Sequence, residues 1–498
     1  MEILNIFDGY LLSILIFLPL GVSFLMLALP VGSKFTRNVA FGVGIVLFII
    51  SFKIYLDFYP MGYMQFREFH TWVTNYGINY SLGVDGFSLI ILMLIVTLMP
   101  SAYLILWNGR TKGYWISMML IQSGIMGSLF SQDLILFYFF WETMLLPVFM
   151  IIGLFGTDDK VFSTLKVTIY TMFGSLFMLL AILYLGFSFY NQFGSWSFEL
   201  IDLMKISTLS QMEKIWLFLA FMFAFAVKIP FFPFHTWLMK TYSNSPTGGV
   251  FLLSSIMAKL GVYGIVRFVL PLFPGLYISY SPIFIGIGLF GLFYFGLAAL
   301  MQNDLKRMFA YSSASHLGFI VVGIFTLNVY GMMGSLLLIV AHALATGGLF
   351  LMVGILEFNT GLKYITQMGG IAKKVPVFTF LFCIMLLCIV GLPGTNGFIS
   401  EFLIVLSLFD VNIYLGIIGS LTVLVAAGFM FWMFGRAILS ESGNEIKMYD
   451  LKIRHIIGLV PLAFLIIAMG FYPDWFFSKV EPTVEYYLYE LLSLGGAR

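Results

Sequence analysis

Fourteen stretches of about 20 predominantly apolar residues run through this chain, and each is long enough to cross a lipid bilayer as a helix. They cover roughly 11–30, 38–59, 86–106, 114–130, 133–155, 165–189, 212–240, 248–268, 279–300, 308–327, 331–356, 376–409, 412–438 and 455–475. The overall balance agrees: 61% of the residues are hydrophobic and 10% charged, against about 45–50% and about 25% in a soluble domain. The expectation is an all-α polytopic membrane protein lying in the lipid bilayer. Most connections are short, and the longer ones, 60–85, 190–211 and 439–454, are too small for a soluble domain. Residues 1–498 therefore read as one membrane domain. A net charge of +2 gives no case for nucleic acid. Cys383 and Cys388 share one apolar run, so they make neither a disulfide framework nor a metal motif. The N-terminus lacks a basic region and an obvious cleavage site, so the first span reads as retained.

Loop charge sets an orientation. One set of loops carries sixteen Lys and Arg residues, Lys447 among them; the other set, which includes both termini and Arg498, carries six. This bias puts the basic loops in the cytoplasm and both termini outside.

Two spans are interrupted. In Ala226-Val-Lys-Ile-Pro-Phe-Phe-Pro-Phe-His-Thr-Trp237, Pro230 and Pro233 follow Lys228 at the end of an apolar run. Proline removes a backbone donor and clashes with the preceding turn, so the helix should break there. In lipid, freed backbone groups and an ammonium are tolerated only against protein or a watered cavity. A helix broken beside a lysine therefore reads as part of an ion path. Gly391-Leu-Pro-Gly-Thr-Asn-Gly397 breaks a second long run, and Pro393 lies 163 residues after Pro230. Paired interrupted helices point to inverted repeats. The expected units are five helices each, 114–268 and 279–438, preceded by three helices in 1–113 and followed by helix 14 and a tail in 439–498.

Six titratable groups fall inside spans: Glu142, Lys228, Lys259, His316, His342 and Glu401. An ionised side chain at bilayer depth costs about 3 kcal/mol or more. Glu, Lys and His can each take up and release a proton, whereas arginine cannot, and no arginine joins the central set. Opposite charges about 4 Å apart gain roughly 4 kcal/mol at an effective dielectric of about 20. Moving Glu142 toward or away from Lys228 could then switch whether the lysine holds its proton. The expectation is a continuous hydrated line from Glu142 through Lys228, Lys259, His316 and His342 to Glu401. His235 either caps loose carbonyls after the break or acts as an accessory group. Lys53 and Arg267, near span ends, read as snorkelling residues. No dinucleotide fingerprint, P-loop, iron–sulfur cysteine cluster or haem pair is present, so no cofactor is expected on this chain.

Taken together, these residues resemble the antiporter-like membrane subunits of respiratory complex I, the NADH:quinone oxidoreductases, over nearly the whole chain. The resemblance rests on Leu82-Gly-Val-Asp-Gly-Phe87, Phe140-Trp-Glu142, Lys228-Ile-Pro-Phe-Phe-Pro-Phe-His235, Lys259-Leu-Gly-Val-Tyr-Gly264, Tyr311-Ser-Ser-Ala-Ser-His316 and Leu392-Pro-Gly-Thr-Asn-Gly-Phe-Ile-Ser-Glu401. Glu401 stands where sister L and N subunits usually carry lysine, and the chain stops about two dozen residues after its last span, which favours the M type. The family implies fourteen helices in two inverted repeats and a proton path. In that path Glu142 gates Lys228, Lys259 and the histidines relay, Glu401 ends the row, and Lys306 is accessory. It further implies L-type and N-type neighbours in a bacterial cytoplasmic membrane and a chain not functional alone. NADH, FMN, iron–sulfur clusters and quinone would be bound by partner subunits. One departure stands out: Met239-Lys-Thr-Tyr242 replaces the usual Pro-Asp-Ala-His. The alternatives are a subunit of a multisubunit Na⁺/H⁺ antiporter or membrane-bound hydrogenase, or a structural anchor without an ion path.

Overall fold

The structure, a computed structural model, describes residues 9–441 and 448–494. The first eight residues, Lys447 and Arg498, which entered the reading of orientation, lie outside the described residues.

Helices dominate. In chain order they are α1 (Leu11–Ala28), α2 (Ser33–Asp57), α3 (Gly86–Ile105), α4 (Lys112–Phe130) and α5 (Leu134–Phe155, interrupted at Met144). Then come α6 (Lys160–Phe193), α7 (Gln211–Lys228), α8 (Thr236–Asn244), α9 (Thr247–Leu272) and α10 (Pro274–Leu300). The last are α11 (Leu305–Phe325), α12 (Val329–Thr360), α13 (Pro376–Val390), α14 (Asn396–Val411), α15 (Ile413–Leu439), α16 (Ile453–Phe471) and α17 (Asp474–Leu494). Eleven are individually long and apolar enough to cross a membrane. The remaining expected spans are α4 and the two broken pairs, α7/α8 and α13/α14. The chain is thus an all-α multi-pass membrane protein. Both breaks fall where the prolines put them, between Lys228 and Thr236 and between Val390 and Asn396.

Burial sorts the helices. The apolar windows of α9 and α12 are wholly buried, and that of α11 nearly so, whereas α1, α2 and α16 expose most of theirs. The inner three are therefore wrapped by other helices rather than by lipid. In the middle of the molecule α12 packs against α3, α9, α11, α13, α14 and α16. A helix in that position has no lipid-facing side to which a charge can snorkel.

Two elements differ from the sequence reading. Residues 60–85 contain an antiparallel hairpin, β1 (Gln65–Val73) and β2 (Ile78–Val84), turning through Gly77 at φ +60°. Its signal is short: a run of aromatic and β-branched residues and one glycine that adopts a left-handed turn without a Cβ clash. The hairpin lies against the start of α5, where the Gln132 amide donates to the Ser81 carbonyl at 2.8 Å. The tail expected after the last span forms α17, which packs on α3 and α12. Phe476, Val480, Val484, Tyr487 and Leu491 recur every three or four residues and are buried, the stripe of a helix laid on a surface.

Candidate proton-transfer row

Lys228 is the last residue of α7, where the carbonyl end of the helix dipole favours an ammonium. The break that follows exposes backbone acceptors, and one is recovered by Trp237, whose indole N–H donates to the Val227 carbonyl at 3.0 Å. Lys228 is buried, with its Nζ 5.0 Å above the Trp141 ring centroid. Glu142, the next residue on α5, is half-buried beside Ser175 and faces the lysine charge without closing to a contact ion pair. A cavity of about 10 Å³, room for about one water, touches Lys228, Trp237, Leu253 and Met257 on the α9 side.

Lys259 sits on α9 between two wide, π-helical turns, Leu253–Met257 and Ile265–Val269. Such turns are frequent at functional sites because they unseat a carbonyl from the ladder. Here the Lys259 amine donates to the Ser254 carbonyl, and its Nζ also meets His342 Nδ1 at 2.9 Å. His342 comes from α12, and its ring stacks on that of His316 from α11 at 5.5 Å between centroids. Both nitrogens of His316 face carbonyl oxygens: Nδ1 lies 2.9 Å from Ser312 O, and Nε2 lies 3.0 Å from Ile389 O at the second break. Carbonyls only accept, so both bonds form together only in the doubly protonated ring. Glu401 supplies the matching negative charge, with Oε1 3.4 Å from His316 Nε2. Its carboxylate fits because Gly391, at φ +73°, has no Cβ; one built there would lie 2.7 Å from Glu401 Oε2.

Lys259, His342, His316 and Glu401 thus form one contiguous row, each group 3% exposed or less. The order is corrected: His342 lies between Lys259 and His316, because α12 packs against both α9 and α11 and brings His342 to both. Glu142 and Lys228 stand apart from this row; the small cavity lined by Lys228 reaches Leu253 and Met257, on the turn that precedes Lys259. The two accessory candidates lie off the row. His235 packs its ring on Phe295 at 4.7 Å, while Lys306 is bound by Glu357 at 2.6 Å where α11 begins and α12 ends. At the departure from the family pattern, Tyr242 is buried against Phe350, and Lys240 points outward.

One charged centre escaped the sequence reading. Arg267 does not snorkel; it is 1% exposed. It donates to Asp85 Oδ2 at 2.8 Å, to Gln132 Oε1 at 2.8 Å and to the Tyr487 hydroxyl. The cluster joins α9, the N-cap of α3, the start of α5 and α17. Asp85 also caps α3 through the Ser88 amide at 2.9 Å. The glycine-flanked Asp85 was visible as a motif, but nothing local announced its partner 182 residues away.

Beneath the hairpin a pair of acids is titratable near neutrality. Burial pushes Asp133 up to about 6 and Glu199 up to about 7, the latter helped by Asp133 and then Asp202, and opposed by Ser81 and Arg67. Both folded values lie above the unfolded ones. The charged forms therefore burden the folded state above about pH 7, and that burden shrinks as pH falls through 7 and 6 and is gone near the unfolded values of about 4. With the intrinsic base-catalysed rate divided out, the protection of the Ser81 and Gln132 amides is expected to be greater at pH 5.5 than at pH 8. Glu199→Gln should remove most of that dependence, and an unchanged pH profile in the variant would contradict the assignment.

The fold and the row define a class: polytopic membrane proteins with two broken helices and titratable groups buried between helices. Residues 131–427 match the family described as NADH:quinone oxidoreductase/Mrp antiporter, TM. The chain is 34% identical to NADH-ubiquinone oxidoreductase chain 4 of Chondrus crispus, over 93% of this chain and 94% of that one. It is 33% identical to NADH-quinone oxidoreductase subunit M of Rhodobacter capsulatus, over 96% of each. Among solved structures, a chain of respiratory complex I from Thermus thermophilus with bound NADH superposes with a TM-score of 0.88. That match has 27% identity and covers 96% of this chain and 99% of the other. The chain belongs to the NADH:quinone oxidoreductase/Mrp antiporter membrane-subunit family, and the resemblance to M-type subunits of complex I holds over its length. It is a subunit of a multisubunit membrane complex.

Proposed function

We propose that this chain moves protons through the row Lys259–His342–His316–Glu401, with Glu142 and Lys228 controlling entry of charge. The observation that carries the reading is the buried succession of four proton-exchanging groups from four different helices, with Lys259 and His342 in hydrogen-bond contact, His342 stacked on His316 at 5.5 Å between centroids, and Glu401 3.4 Å from His316. A static packing device needs charge balance only; a row ending in a carboxylate and beginning in an amine also supports transfer in steps. When Glu142 approaches Lys228 the ammonium is stabilised; when it withdraws, burial and the Trp141 face alone hold the charge, and the proton is released toward α9.

Electron transfer elsewhere would drive this cycle, with NADH, FMN, iron–sulfur clusters and quinone bound by partner subunits. L-type and N-type antiporter-like chains are the neighbours in this reading. The membrane is the bacterial cytoplasmic membrane, with the basic loops inside and both termini outside. The helices divide as 1–113, then repeats 114–268 and 279–438, then 439–498. In each repeat the broken helix is the fourth of five, which supports the inverted pairing. The test is NADH-driven acidification of vesicles holding the assembled complex, with sodium uptake measured alongside. Proton movement that fails without Lys228 supports the reading, and sodium movement in its place refutes it.

Gly391→Ala gives a narrower check. A left-handed residue with a Cβ costs about 1–2 kcal/mol, and the methyl displaces Glu401 from His316. The complex is expected to assemble and oxidise NADH while acidifying vesicles more slowly, as read by a pH-sensitive dye.

A further inference from the structure

On the face that carries the basic loops, α3, α12 and α16 enclose a cavity of about 60 Å³ whose lining includes Arg110, Asn108, Asn359, Lys452, Arg454 and His455. Among the described residues, none of its three cations makes an ion pair. Arg110 Nε and His455 Nδ1 are buried without a hydrogen-bond partner, and His455 is 8% exposed. Arg37 adds a fourth cation within reach of Arg454; it is held by the Trp107 carbonyl at 3.1 Å and stacks on the Trp107 ring. Four like charges gathered around unfilled donors call for an anion.

The same helices, joined by α2, enclose a second cavity of about 310 Å³, lined by apolar residues such as Phe48, Ile90, Leu94, Leu344, Pro461 and Leu465. At 1.5 Å per residue, Ile105 to Leu94 on α3, Ile355 to Leu344 on α12 and His455 to Leu465 on α16 each span about 15–17 Å. That is half the hydrocarbon thickness of a bilayer, about 15 Å. The cationic pocket therefore sits at headgroup level; the apolar cavity begins about 9–12 Å deeper, at Pro461 and Thr97, and runs past the midplane to Trp475 and Phe476 beyond the far end of α16. The surface of α16 between them is greasy, with Ile457 56% and Val460 44% exposed.

We propose that α2, α3, α12 and α16 form a site for one anionic glycerophospholipid. Its phosphate is held by Arg110, Lys452 and Arg454, and one acyl chain lies in the apolar cavity. Basic pockets between spanning helices suit such headgroups. An acidic segment of a neighbouring protein would satisfy the cations but leave the apolar cavity unexplained, so the two cavities together favour a lipid.

The experiment uses the assembled complex, washed in detergent and re-equilibrated with phosphatidylglycerol, phosphatidylcholine or inorganic phosphate. Bound lipid is counted after extraction. Arg110→Gln/Arg454→Gln should lose about one retained phosphatidylglycerol per complex with phosphatidylcholine unchanged. Leu465→Trp, which fills the apolar cavity and alters no charge, should do the same. In the unmodified complex, phosphatidylglycerol with a photoreactive acyl chain should label residues 90–97, 340–344 and 461–469, and unlabelled phosphatidylglycerol alone should compete. That arm holds even if the variants fail to assemble. Equal lipid counts in parent and variants, competition by inorganic phosphate, or detachment of a neighbouring subunit with lipid retained would each overturn the proposal.

Discussion

Lys228→Ala is expected to cut NADH-driven acidification of vesicles at least about tenfold while the complex still assembles. The lysine is buried at the end of α7, over the Trp141 ring and facing Glu142. In the proposed path its amine is the group through which Glu142 would act on the row. An interaction of about 4 kcal/mol at close approach is worth up to about three powers of ten in a transfer rate, so losing it leaves little controlled flow. Alanine also removes a buried charge that costs energy to hold, so the fold should not suffer. Lys228→Arg sharpens the test: it keeps the positive charge but cannot give up a proton, and it should fail as well. Acidification at the parental rate in either variant would refute the role assigned to this residue, and a structural anchor would be left as the better account.

Arg267→Ala is expected to prevent accumulation of the complex. The guanidinium pairs with Asp85 at 2.8 Å, and both side chains are essentially inaccessible. Removing one partner of such a pair typically costs about 3–5 kcal/mol, because the other charge is left buried and alone. Asp85 also caps α3, and Gln132 and Tyr487 lose a donor, so four elements are loosened together. Replacing both charges, as in Arg267→Met with Asp85→Asn, should recover much of the loss, since a pair of neutral side chains leaves no orphan charge. The measurement is the amount of assembled complex on a native gel and its Tm. A double variant no better than Arg267→Ala would show that the cost lies in packing rather than in charge.

The two predictions draw on parts of the chain that were unequally legible. Lys228 announces itself, because a lysine followed by two prolines inside an apolar run has few harmless explanations. Arg267 does not. It stands near the end of a span, where a cation ordinarily reaches for the interface, and only the folded chain shows α17 and α3 closing over it. The row lies between these cases. Lys259, His316, His342 and Glu401 could be picked out one by one as titratable groups in greasy surroundings. Their succession could not, because His342 is 83 residues from Lys259 and no local pattern records that α12 packs against both α9 and α11. The hairpin at 65–84 and the helix 474–494 were hidden for a different reason. Both are more polar than the fourteen long apolar runs, and both gain their stability from the surface they lie on.

The amino-acid sequence by itself determined that this chain crosses the membrane, how many times, where two helices break and which kinds of group are buried at depth. Those features are local: bilayer thickness sets span length, and proline disrupts its own helix wherever it stands. The tertiary structure alone decided which groups touch, in what order, and which charges neutralise one another. Each such contact joins residues far apart in the chain, and its energy exists only once the helices have packed.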